Sequence, residues 1–388
     1  MSKTYLTAES VCAGHPDKLC DYIADCILDE CLSKDRLSRV ACEVMATKGK
    51  IIVAGEITCA KHIDIRAIVR QALIDKGYNP LKFIIYKFIH KQSSDIASGV
   101  DNALEARNGD NSWFSELGAG DQGTVYGYAT NETNEMLPLP LVLSHRICKS
   151  LDRARKNGLI KGILPDGKAQ VTIEYENGVP KRVQNITVSV QHKAKKDLEV
   201  LKNEIMSRIL WCCFEDFPYD ENTEILINPS GRFVVGGPTA DTGLTGRKIM
   251  VDSYGGLAAN GGGAFSGKDP TKVDRSGAYM ARYIAKNIVW SGLADKCEVA
   301  LSYAIGKADP VSVEVNAFGT SKYTNEQLRR MIKSTFSLRP AAIIEHLKLR
   351  TTEYSETSAY GHFNSELFNW EYVDKAREFL KVASSYDN

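Results

Sequence analysis

Several short segments of this 388-residue chain hold residues whose types and spacing suit the handling of phosphate. Gly262 to Lys268 fit the pattern G-x-x-x-x-G-K. Glycines in such a run let backbone N–H groups converge on phosphate oxygens, and the lysine adds a point charge. Asp269 stands where a P-loop carries its magnesium-binding Ser or Thr, and Pro270 follows, so an NTPase P-loop is not expected. A glycine-rich turn is the plain alternative. In GHPDK, residues 14–18, Pro16 opens a helix and puts Asp17 in its first turn, where the helix dipole favours a carboxylate. His15 could donate to an anion, or the segment could be a simple cap with a surface histidine. In GPTADTGLTGRK, Asp241 precedes Arg247 and Lys248, a pair able to clamp a polyphosphate or to remain solvated. KVDRS adds Lys272 and Asp274; Asp17 and Asp274, brought together, would supply the hard oxygen donors that magnesium takes. GAGDQG places Asp121 between glycines, as a turn residue or a polar contact.

The elements that must position these segments follow from hydrophobic periodicity. Residues 17–33 read as a helix with Leu19, Ile23, Cys26 and Ile27 on an apolar stripe, while Asp17, Asp21, Asp25 and Asp29 recur every fourth residue on another face. The β-rich runs RVACEVMAT and KIIVAGEIT follow, joined at Lys48-Gly49, and then the helical IDIRAIVRQALIDKGY. The same order returns with a helix over 140–157, a hairpin turning at Asn177-Gly178 and the helix KKDLEVLKNEIMSRIL. It returns again with a helix from 274, the hairpin EVALSYAIGKADPVSVEVNAFG and the helix NEQLRRMIKSTF. Turns at Gly49, Gly178 and Gly306 lie about 129 residues apart, too long a period for a solenoid. The expected architecture is an α/β chain of the α+β type: three pseudo-threefold-related helix–hairpin–helix units, each a sheet with helices on one face. The units are expected over 1–100, 115–232 and 233–388, with 92–120 as a mobile loop able to act as a lid. The uncovered sheet faces would need a partner subunit.

Composition narrows the class. Hydrophobic residues at 43% and charged residues at 25% are ordinary for a globular protein. A net charge of +1 gives no field directed at nucleic acid or an acidic membrane, so neither is an expected partner. No basic, then apolar, secretory leader opens the sequence and no run nears about eighteen apolar residues, so a cytoplasmic location is expected. Ten cysteines occur without a C-x-x-C and read as small buried hydrophobes.

Taken in order, GHPDK, GAGDQGxxxGYATNET, GRFVVGG, GLTGRK, GGGAFSGKDPxKVDRS and SYAIG resemble the motifs of the methionine adenosyltransferases, over nearly the whole chain from about residue 4 to about 373. The resemblance implies a pseudo-threefold subunit that pairs by flat sheets into a homodimer with shared active sites, and usually a homotetramer. It implies ATP and L-methionine as substrates, with two Mg²⁺ per site and one K⁺. Asp17 and Asp274 would hold magnesium and Glu43 potassium. His15, Lys168, Arg247, Lys248 and Lys268 would form the catalytic polyphosphate cluster. The remaining ATP contacts would be Asp121, Asp166, Gly167, Arg232, Phe233, Asp241 and Ala264. Glu56, Gln92, Asp241, Lys272 and Ile305 would contact methionine.

The sequence departs from the family pattern at Ala13, where Glu is common, at Ser94, where Pro is usual, in PLKFIIYKFIH, and in NSWFSE with Trp113 and Phe114. These changes lie in or near the expected lid and leave the charge cluster whole. The expected chemistry is attack of the methionine sulfur on C5′ of ATP, then hydrolysis of the tripolyphosphate to pyrophosphate and phosphate. A kinase-like phosphotransferase and a non-catalytic nucleotide-sensing subunit are the competing readings.

Overall fold

The computed structural model describes residues 3–91 and 100–386. The chain opens with strand β1 (Lys3–Val11), helix α1 (Pro16–Lys34), the hairpin β2 (Arg39–Thr47) and β3 (Lys50–Thr58), helix α2 (Ile65–Asp75) and strand β4 (Ile84–His90). A second run contains β5 (Gly123–Thr130), α3 (Leu139–Lys156), the hairpin β6 (Ile163–Glu176) and β7 (Val179–His192), α4 (Leu198–Ile205) and β8 (Glu224–Ile227). A third contains β9 (Gly243–Leu244), α5 (Val273–Trp290), β10 (Lys296–Tyr303), β11 (Ser312–Asn316) and α6 (Asn325–Thr335). The helix–hairpin–helix order expected from periodicity is present three times. At the central hairpin, Asn177 and Gly178 have φ of 51° and 80°, the left-handed pair that a tight two-residue turn requires.

Among the described residues the strands form three sheets, ordered β1-β6-β7-β8, β11-β10-β5 and β4-β3-β2-β9. Helix α1 packs on β2, α3 on β1 and β6, and α5 on β5 and β10. Burial follows the two-residue strand period: Cys297, Val299, Leu301 and Tyr303 of β10 are buried and the residues between them are not. In the β2 sheet, Val40, Cys42, Val44 and Ala46 face the core, while Ile84, Tyr86 and Phe88 stand exposed on the opposite face. The pairing is cyclic. β1 joins β6, β5 joins β10 and β9 joins β2, all antiparallel, so each run gives its leading strand to the sheet of another run. No helix among the described residues is long and apolar enough to cross a membrane.

Part of the span read as a mobile loop is fastened to the body. The Glu105 carboxylate accepts the Ala308 and Asp309 N–H groups at 2.8 and 3.1 Å, and Arg339 joins Asp110 to Asp309. Residues 92–99, Gln92 among them, lie outside the described residues.

Helices α1 and α5 meet through a buried ion pair. Arg275 is fully buried and donates to both Asp25 oxygens at 2.9 and 3.0 Å, and to the Lys268 carbonyl at 3.0 Å. A buried pair adds little over apolar packing, but removing one partner strands a charge. Arg275→Met is therefore expected to destabilise the fold by about 3–5 kcal/mol, checked by denaturant unfolding of variant and parent.

Candidate active site

Strand β2 has β3 on one side, and its other edge is covered by two pieces of chain from the third run. Gly243 and Leu244 pair with Ala46 and Met45. Thr245 continues this, its N–H donating to the Val44 carbonyl at 3.0 Å and its hydroxyl accepting the Val44 N–H at 2.6 Å. Farther along, the Cys42 N–H donates to the Gly267 carbonyl at 2.9 Å, Lys268 bridges Ala41, and the Asp269 carboxylate accepts the Val40 N–H at 2.7 Å. One strand edge thus sets the GLTGRK and glycine-rich segments end to end. The edge is thus satisfied by the two residues of β9 and, beyond them, by loop segments.

Helix α1 presents its carboxylates to the same two segments. His15 caps the helix: its Nδ1 accepts the Asp17 N–H at 3.2 Å, so the neutral ring carries its proton on Nε2 as a free donor. Burial, with Lys248 adding to it, pushes this imidazole down to about 3. Asp17 accepts the Leu244 N–H at 3.0 Å and the Lys248 ammonium at 2.6 Å, with Arg247 at 3.6 Å. Burial opposes its charge, but the hydrogen bonds from Lys248 and Leu244 outweigh it and hold the carboxyl below its usual range. At the start of α5 the Lys268 ammonium contacts the Asp274 carboxylate at 2.6 Å. The two carboxylates read as metal ligands thus each hold a lysine read as a phosphate ligand.

The other candidates surround this centre. Lys168, half exposed at the start of β6, is near enough to His15 to oppose its protonation. Beside it, Asp166 accepts the Gly237 N–H at 2.8 Å, and burial raises its carboxyl while Lys168 pulls it back and Asp241 raises it further. Phe233, which follows the exposed Arg232, exchanges hydrogen bonds with His192 at the end of β7. Ala264 lies in the glycine-rich turn and Gly167 pairs with Val190. Glu43 is on the open face of β2, its carboxyl raised by burial and lowered by Lys268. Glu56, on the same face, pairs with His90 at 2.9 Å. Lys272 bonds Asp269 at 2.9 Å and packs by Gly120, next to the exposed Asp121, while Ile305 bridges Ala119. Arg247, Lys248 and Lys268 are therefore gathered on the β2 edge, whereas Glu56 and Ile305 lie on neighbouring surfaces.

Three family models match in succession: the N-terminal domain of S-adenosylmethionine synthetase over residues 3–98, its central domain over 116–233 and its C-terminal domain over 235–372. The chain belongs to the S-adenosylmethionine synthetase family. It is 51% identical to an S-adenosylmethionine synthase of Desulforudis audaxviator, with 99% of this chain and 100% of that protein covered. It is 50% identical to one of Finegoldia magna, with 98% and 100% covered. The chain is an enzyme of the methionine adenosyltransferase class, as its motifs implied.

Within this synthetase fold, several working residues escaped the motif reading. Asp21 accepts the Gly246 N–H at 2.8 Å and Asp25 the Gly267 N–H at 2.9 Å. Lys18, inside GHPDK, is fully buried between Asp21 at 3.0 Å and Asp252 at 2.5 Å. The four-residue spacing of the α1 aspartates was the available signal, but spacing alone does not say that a polar stripe is buried.

Gly263 touches the centre directly. A Cβ there would overlap the Asp274 carboxylate, and its backbone is not left-handed. Gly263→Ala is expected to displace the Lys268–Asp274 pair and lower turnover ~10–100-fold while unfolding free energy changes by under ~1 kcal/mol. Steady-state kinetics and denaturant titration on the same preparation check this.

Proposed function

We propose that the chain makes S-adenosylmethionine by transferring the adenosyl group of ATP to the sulfur of L-methionine, and then hydrolyses the tripolyphosphate to pyrophosphate and phosphate. The observation that carries this reading is the gathering of Arg247, Lys248 and Lys268 on one strand edge, with His15 and Lys168 beside them. A thioether sulfur attacks with a lone pair and carries no proton, so the reaction needs no general base. The demand falls on the leaving polyphosphate, whose charge grows as the C5′–O bond breaks, and fixed cations meet it. Neutral His15 donates through Nε2 to a phosphate oxygen. Arg247 supplies bidentate geometry, and the lysines supply charge. Phe233 and Arg232 are assigned to the adenine side. Glu56, Gln92, Asp241, Lys272 and Ile305 are assigned to methionine, with Asp121, Asp166, Gly167 and Ala264 near the nucleotide.

The donor chemistry fits magnesium. Asp17 and Asp274 are single carboxylates beside phosphate-binding segments, and magnesium takes one or two carboxylates together with substrate phosphates. Bound there, it would neutralise charge on the polyphosphate. Glu43, a carboxylate oxygen donor, is assigned to potassium. The exposed Ile84, Tyr86 and Phe88 on the open face of the β2 sheet, beside Glu43 and Glu56, support a homodimer whose sites draw on both subunits; the family resemblance adds a tetramer built from two dimers.

ATP labelled with ¹⁸O at the 5′ bridge is expected to yield unlabelled S-adenosylmethionine with the label in the phosphate products. Label retained in ADP, with a phosphorylated acceptor, would sink the proposal. Asp17→Asn or Asp274→Asn is expected to cut turnover by ~100-fold or more with the fold retained; near-parental turnover at moderate Mg²⁺ would remove that carboxylate from the metal site. An inactive His15→Ala chain and an inactive Lys272→Ala chain should regain activity when co-assembled, and no recovery in a verified heterodimer would place both lesions in one subunit's contribution.

A further inference from the structure

The stripe of aspartates on α1 has a pattern that the motifs do not explain. Asp17, Asp21 and Asp25 lie one helical turn apart and are all buried. Each accepts a backbone N–H from a segment bearing phosphate-binding cations: Asp17 from Leu244 at 3.0 Å, Asp21 from Gly246 at 2.8 Å and Asp25 from Gly267 at 2.9 Å. Gly246 immediately precedes Arg247 and Lys248, and Gly267 immediately precedes Lys268. The other side of both segments is fixed to the β2 edge through Thr245 and Gly267. The segments are thus clamped between a strand edge and a helix whose rise sets their spacing.

Only the first rung belongs to the centre itself, since Asp17 also touches Lys248. Asp21 and Asp25 touch none of the three cationic side chains in a hydrogen bond or ion pair. Asp21 faces Lys18, which is shared with Asp252, and Asp25 faces Arg275. Arg275 pairs Asp25, whose Oδ1 also accepts the Gly267 N–H, while Asp21 shares the one Lys18 ammonium with Asp252 and gives its Oδ1 to the Gly246 N–H.

We propose that Asp21 and Asp25 are positioning residues for polyphosphate: through Gly246 and Gly267 they set where Arg247, Lys248 and Lys268 present their charges. The proposal rests on the assignment of those cations to polyphosphate. Buried backbone hydrogen bonds to carboxylates are stronger than neutral ones and hold a segment more rigidly. Cations so fixed need little reorganisation when negative charge develops beside them.

Asp21 is the rung to test, because Lys18 keeps Asp252 at 2.5 Å when Asp21 is changed. Asp21→Ala and Asp21→Ser both lose the acceptor within reach of Gly246, whereas Asp21→Asn keeps one. Binding of inorganic tripolyphosphate with Mg²⁺ is measured by calorimetry on the full-length enzyme, alongside kcat, the KM for methionine and the thermal midpoint. The expected result is tripolyphosphate affinity ~10-fold weaker or worse in the Ala and Ser variants, kcat lowered ~10–100-fold and methionine KM within about 3-fold, with Asp21→Asn restoring most of both losses. A folded Ala or Ser variant binding tripolyphosphate like the parent would overturn the proposal. An Asn variant as impaired as Ala would also overturn it, because the hydrogen bond would not be what matters. If neither Ala nor Ser folds, Asp21 serves stability alone and the proposal fails. Tripolyphosphate binding is read without turnover, so a parent protein that makes no S-adenosylmethionine yet shows this pattern would defeat the functional reading and leave this one standing.

Discussion

The contact between Asp25 and Arg275 is the constraint on which the site depends. It joins the middle of α1 to the start of α5, helices separated by about two-thirds of the chain. Arg275 also binds the Lys268 carbonyl and the Tyr279 hydroxyl, and Asp25 also binds the Gly267 N–H. One planar guanidinium therefore fixes two helices and the glycine-rich segment between them. Lysine could not reproduce this, because it lacks the fork that meets both oxygens of Asp25 while a third N–H reaches a carbonyl. The desolvation of both charges is offset only because nearly every polar atom of the pair has a partner.

Cyclic strand exchange makes that joint possible. Because β9 pairs with β2, the chain entering the third run must cross the face of α1 before it reaches α5. The N-termini of α1 and α5 are thereby brought to one region, as the packing of Gly246 against Ala264 and of Gly263 against Asp274 shows. Helix N-termini carry partial positive charge and unpaired N–H groups, both favourable to an anion. The cation cluster consequently sits in a field of its own sign in a protein whose net charge is only +1, and no global excess is needed to bind a polyanion.

The local elements were legible in the sequence because each is written in a short period. The apolar stripe of α1, the Asn177-Gly178 turn and the alternating β10 pattern depend on neighbours within a few residues. Motif residues were legible for a similar reason, since His15, Lys248 and Lys268 each stand in a contiguous signature. Strand partners were not, because β1 and β6 lie far apart in sequence and alternation says only which face is buried. The same limit applies to Arg275, Asp21 and Asp25. A buried charged group resembles a surface one until its partner is known, and the partners come from elsewhere in the chain.

The choice of lysine at 248 and 268 follows from the same geometry. An ammonium has three N–H groups. Asp17 takes one from Lys248 at 2.6 Å and Asp274 takes one from Lys268 at 2.6 Å, so each cation is anchored and still has donors to direct elsewhere. A neighbouring carboxylate limits the rotamers of each flexible stem. Arg247 lies 3.6 Å from Asp17 and is half exposed, so its fork is less committed to the protein interior. The two lysines are thus held by carboxylates, whereas Arg247 rests on the Thr242 carbonyl at 3.0 Å and only loosely on Asp17. Under the proposed adenosyl transfer, that division suits a leaving group whose charge grows along a chain of phosphates, because charges already held in place need little reorganisation as the bond breaks.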